Sequence, residues 1–184
     1  MQHYLVPQQQ LGEEKDLEYK VTADSLEDAE DWFVDAKDRL LDVNNWKQHI
    51  PQDAHTFNLT DKHGKFLSRT AHPHDHIRID QPGPGPREIN AHDWVVVEAI
   101  EYDDYPDENR ESFALKLKWV ADPELQPDIE RNETAASGTL VIERRSRELI
   151  ANYHCRNSVP TFPGGEWMGI TEDQWMTLIS GLLL

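Results

Sequence analysis

One amphipathic helix followed by a long run of strand patterning constrains this chain most. Leu26, Ala29, Phe33, Ala36, Leu40 and Val43 recur at spacings of three and four, and Trp32 and Leu41 widen the stripe. That is the period of a helix with one apolar face. Ser25, with Asp28 three residues on, begins it in the manner of a capping box, Asp standing where Glu or Gln is usual. The opposite face carries Glu27, Asp28, Glu30, Asp31, Asp35 and Asp38. Exposed helices normally show such charge, and an acidic protein-interaction module would work through the same face.

Before this helix, Glu18 to Thr22 alternates as a short strand does, and the polar segment 1–16 reads as a flexible arm. After Trp46 and Pro51 the period turns to two and stays there for about a hundred residues. Thr56 to Leu59, the turn signal Asp61-Lys62-His63-Gly64 and Lys65 to Ser68 predict a hairpin. Ile77 and Ile79 alternate with Arg78 and Asp80, before Pro82 to Pro86 breaks any ladder. The strongest strands are Asp93 to Tyr102 and Ser112 to Val120, joined by an Asp-rich loop. In the second, Phe113, Leu115, Leu117 and Trp119 share one face and Lys116 and Lys118 the other, which marks a sheet wetted on one side. Gly138 to Glu143 and Glu148 to Cys155 predict a final hairpin across Arg144 to Arg147. A C-terminal helix follows, with Thr171 and Gln174 as a capping box and Trp175, Leu178, Ile179 and Leu182 as its apolar face.

The expected architecture is therefore α+β, with residues 17–184 as one domain whose helices pack on one face of a curved antiparallel sheet. A chain of 184 residues buries enough apolar surface to fold without disulfide or metal. A formal charge of -17 repels phosphate backbones and anionic lipid heads, so nucleic acid and membrane surfaces are not expected partners. The N-terminal residues lack the pattern of a secretory signal, no apolar run approaches a membrane span, and Cys155 is alone. Together these predict a cytoplasmic protein. The acceptor-like triplets Asn58-Leu59-Thr60 and Asn132-Glu133-Thr134 are then chance matches.

The order of elements, the Leu26 to Val43 segment leading to Asn45-Trp46, and the terminal helix resemble the START-like, or SRPBCC, helix-grip superfamily. The resemblance covers about Glu18 to Leu184, although the last helix is shorter than that superfamily's long plug. It implies a hydrophobic cavity between sheet and helix for a small apolar or amphipathic ligand. The superfamily has no shared catalytic set, so no catalytic residue carries over.

Read from the residues alone, aromatics fall on candidate inward positions of several elements: Phe33, Trp94, Phe113, Trp119, Tyr153 and Trp175. A pocket lining and an ordinary core look alike in sequence. Trp94, Val96, Ile100 and Tyr102 alternate in register with Glu98, which would bury one carboxylate among apolar groups and raise its pKa, as a cyclase- or hydrolase-type enzyme requires. With Val95, Val97 and Ala99 inward instead, Glu98 lies on the surface. Whether any reaction is catalysed stays open on these patterns. The stretch HPHDH, His72 to His76, would put its imidazoles on one side of a strand, with His92, Asp75 or Glu88 to complete a metal site. Pro73 argues for an edge or loop instead, and the acid that follows the His-x-His of cupins is missing, so no metal is expected there. No phosphate loop, Gly-x-Ser-x-Gly elbow or other cofactor motif occurs.

Overall fold

Strand patterning that is apolar on one side demands a sheet covered on that side, and the computed structural model supplies one. It describes residues 3–10, 12–51, 54–80, 92–120, 122–123, 136–158 and 170–184. The strands are β1 (Glu13–Thr22), β2 (Thr56–Thr60), β3 (His76–Asp80), β4 (His92–Tyr105), β5 (Arg110–Val120), β6 (Ser137–Arg145) and β7 (Glu148–Ser158). They form one seven-stranded sheet in the order β1-β7-β6-β5-β4-β3-β2, with every pairing antiparallel. Helices α1 (Leu26–Leu41) and α2 (Glu172–Leu183), with a 3-10 helix over Val43–His49, cover the inner face.

Period two along β5 to β7 places Phe113, Leu115, Leu117, Leu140, Ile142, Ala151 and Tyr153 in the core beneath those helices. α1 contributes Ala29, Phe33, Ala36 and Leu40 to the same core, as its stripe predicts. Leu26 and Trp32, which the stripe includes, stay 46% and 41% exposed, because the buried arc is narrower than the apolar one. The helix ends at Leu41, and Val43 continues the buried face from the 3-10 helix, where Trp46 is fully buried and its Nε1 donates to the Leu40 carbonyl at 3.2 Å. α2 approaches this 3-10 helix so closely that a Cβ on Gly181 would lie 2.6 Å from His49 Cβ. Only glycine allows that approach.

Several boundaries depart from the sequence expectation. β1 begins at Glu13 rather than Glu18, since pairing with the long β7 extends it. Within the segment expected to be a loose arm, residues 3–10 lie against the outer face of the sheet: Gln9 Oε1 accepts from Asn157 N, Gln10 N donates to Asn157 Oδ1, both at 2.7 Å, and Val6 is buried. The hairpin expected over Thr56 to Ser68 keeps its turn, with Asp61 Oδ1 accepting from His63 N and Lys65 N, but shrinks to the single bridge Thr60–Phe66. β2 pairs along its length with β3 instead. The Asp-rich loop is shorter than expected, since β4 runs on to Tyr105 and β5 starts at Arg110. The expectations on Pro82 to Pro86, Glu88 and Asn132 to Thr134 lie outside the described residues.

Candidate functional site

The inner layer is assembled by two capped helices. Ser25 Oγ accepts from Asp28 N at 3.0 Å and starts α1. At α2, Thr171 Oγ1 accepts from Gln174 N while Gln174 Oε1 accepts from Thr171 N, each at 3.2 Å, so the capping box is complete. It sets Trp175 over β7, where its ring stacks on Tyr153 at 4.1 Å between centroids and 9° between planes. Tyr153 and Trp175 are 1% and 2% exposed, so the layer under this part of α2 is close-packed. Phe113 and Trp119 lie on the same inner face of β5, and Phe33 of α1 meets Tyr102 at 6.4 Å between ring centroids. Trp119 and Ile100 are only partly buried at the edge of this layer. Burial raises the hydroxyl pKa of Tyr153, and it pushes the Cys155 thiol, two residues on along the same face, up to about 11.

Five of the seven residues singled out in the sequence, Phe33, Phe113, Trp119, Tyr153 and Trp175, thus share the inner side. Trp94 and Glu98 do not. The β4–β5 pairing runs Trp94↔Val120, Val95↔Trp119 and Val97↔Leu117, then slips by one residue to Ala99↔Lys116 and Ile100↔Leu115. That bulge splits the alternation the sequence suggested. Val95 and Val97 point inward before it, Ile100 and Tyr102 after it, and Trp94, Val96 and Glu98 take the outer side. Glu98 meets Lys118 Nζ at 2.8 Å and Lys116 Nζ at 3.1 Å. Partial burial pushes its carboxyl up, but the two ammonium groups outweigh this and hold it below the usual carboxylate range. A raised, protonated pocket acid is the opposite of what this environment makes.

HPHDH also has a role that the strand reading missed. His72 to Asp75 form a turn in which His74 adopts a left-handed backbone, φ 74°, and only His76 enters β3. Asp75 Oδ2 accepts from His72 N at 2.8 Å, and Arg69 Nη2 donates to its Oδ1 at 2.9 Å. His74 N donates to the Val97 carbonyl at 2.7 Å and Val97 N to the Asp75 carbonyl at 2.8 Å. The turn is therefore bonded to the bulge of β4. With the strand broken at His74, the imidazoles lose the common side that alternation would have provided. Among the described residues, no three His, Cys, Asp or Glu side chains are placed to hold a metal ion. Burial lowers the pKa of His76, favouring its neutral imidazole.

No protein-family model and no curated relative matches the sequence. Solved structures do resemble the fold. A hypothetical protein, jhp0584, of Helicobacter pylori aligns with a TM-score of 0.51 and 10% identity, covering 94% of this chain and 87% of its own. A STAR-related lipid transfer protein of Xanthomonas axonopodis gives 0.47 and 14%, covering 93% and 86%. Norcoclaurine synthase of Thalictrum flavum gives 0.47 and 9%, covering 100% and 96%. No described helix is long and apolar enough to cross a membrane. With its curved seven-stranded antiparallel sheet closed around a C-terminal helix, this chain has a helix-grip fold among its described residues.

Proposed function

We propose that this protein binds a small apolar or amphipathic molecule between the helices and the inner face of its sheet, in the cytoplasm, with Phe33, Phe113, Trp119, Tyr153 and Trp175 as the aromatic wall. One observation carries the reading: these rings come from α1, β5, β7 and α2, yet all join a single apolar layer. Tyr153 and Trp175 already cover each other, so the ligand lies nearer the partly buried Trp119 and Ile100. Trp94 and Glu98, on the opposite side of the sheet, are not part of this wall.

Tryptophan emission titrated with fatty acids, sterols and flat aromatic compounds tests the reading. We expect a saturable change that weakens in Trp119→Phe. Failure of every compound to bind more tightly than about 100 µM rejects it. A second reading, an interaction module for a basic partner, draws support from Trp32 and Val34, which are 41% and 47% exposed among the acids of α1. Competition of a basic peptide for wild type but not for Trp32→Ala would favour that role instead.

A further inference from the structure

Beneath residues 3 and 4, the outer face of the sheet holds a cavity of about 470 Å³. Its floor includes Ser112 of β5, Val141 of β6, and Asn152 and His154 of β7. Most of its charged walls are already paired. Arg145 grips Glu143 at 2.8 and 3.0 Å, and Arg110 pairs with Glu108 at 2.9 Å. Arg156 reaches Asp16 at 2.8 Å, Glu18 lies 3.4 Å from Lys20, and Asp103 faces His3 Nε2 at 3.6 Å. An incoming anion would have to displace a carboxylate from one of these arginines, and the remaining field of a chain at -17 opposes it further.

Besides the Asp103 carboxylate opposite the His3 imidazole, the polar capacity left over is that of hydroxyl, amide and ring groups. Ser112 Oγ, the Asn152 amide and His154 Nε2 carry no hydrogen bond among the described residues. Asp16 Oδ1 lies 2.5 Å from His154 Nδ1, so Nδ1 keeps a proton toward that carboxylate and Nε2 is the ring nitrogen left for a ligand. A similar constraint acts in the roof: Leu5 N donates to His3 Nδ1 at 3.2 Å, so the His3 proton sits on Nε2, toward Asp103. Burial lowers the pKa of His3, which favours the same uncharged form. A donor and acceptor set of this kind suits hydroxyl and ring N-H groups, and the volume falls in the roughly 300–1,000 Å³ range of small-molecule sites.

We propose that this cavity is a second binding site, for a small uncharged molecule rich in hydrogen-bonding groups, held by Ser112, Asn152 and His154 under the roof of His3 and Tyr4. The test is an amide NMR titration of the full chain with glucose and adenine as neutral probes, and with inorganic phosphate and ethylamine as charged ones. We expect one neutral probe to shift the signals of Ser112, Asn152 and His154 saturably. We also expect Asn152→Ala and Ser112→Ala each to weaken that probe about tenfold, with signals elsewhere unchanged. A response to glucose alone indicates a polyol site, and to adenine alone a heterocycle site. The proposal is overturned if neither neutral probe saturates with a dissociation constant of about 10 mM or tighter. It is equally overturned if phosphate or ethylamine shifts the same residues as strongly, or if both variants bind as wild type does.

Discussion

The two faces of one sheet are built from alternate residues of the same strands and behave as different materials. On the inner face Phe113, Leu115, Leu140 and Tyr153 meet apolar helix stripes, and burial is nearly complete. On the outer face Ala114, Val141 and Ile150 are also buried, yet outside that core, amid Glu18, Glu143, Arg145 and Asn152. The inner face is held by area removed from water, which is non-directional and large in sum. Ion pairs and hydrogen bonds organise the outer face, and each contributes little net stability while fixing geometry closely. The contrast teaches that period two assigns a residue to a face, while what covers that face decides its chemistry.

If that contrast holds, the largest effect should come from the inner layer. Trp175→Ala removes the ring stacked on Tyr153 and should cost about 3–5 kcal/mol in denaturant unfolding. A loss below about 1 kcal/mol would mean the layer is looser than its burial indicates. Gly181→Ala sharpens the same point. Helix propensity favours alanine by about 1 kcal/mol, but the new Cβ would press on His49 Cβ, so we expect net destabilisation of about 1–3 kcal/mol.

Between the faces stands the turn that grips the bulge. Burial raises the pKa of Asp75, but the bonds from Arg69 and His72 N overcome it and hold the carboxyl below its usual range. A depressed carboxylate stabilises the fold above its unfolded pKa, near 4, and that stability is lost as pH falls through the folded value. Asp75→Asn should therefore cost about 1–3 kcal/mol at neutral pH and flatten the loss of stability on acidification below about pH 4. Unfolding midpoints measured at neutral and acidic pH check both. The smallest effect belongs to the outer face. Glu98→Gln should cost about 1 kcal/mol, because the amide keeps the shape of the partly buried site and loses only the charge facing Lys116 and Lys118. A loss as large as that of Trp175→Ala would erase the distinction between the faces.

Much of the inner layer was legible in the sequence. The three-and-four stripe of α1, the Thr171–Gln174 box and the Phe113 to Trp119 alternation each involve residues close in the chain, and each formed as expected. The candidate wall was legible only where alternation ran unbroken. It failed at Trp94 and Glu98, because a single extra residue in β4 reverses which side follows. Nothing near Glu98 announces that bulge; its bonding partner is a turn more than twenty residues earlier, around Asp75. The outer cavity left still less trace. Tyr4 and Val6 are apolar points in a polar segment, and the residues that receive that segment lie about 150 positions away, at Asn157.

The sequence by itself determined the elements, their caps and the α+β class, because helix and strand periods, capping and turn chemistry act over a few residues. Tertiary structure decided the register of β4, the partner of β2 and the docking of residues 3–10, since each depends on backbone bonds between segments whose meeting no local pattern encodes. Moving one residue across a bulge leaves composition and local propensity untouched. It still carries Glu98 from a prospective apolar pocket to a pair of lysines, where two ammonium groups hold it as a carboxylate.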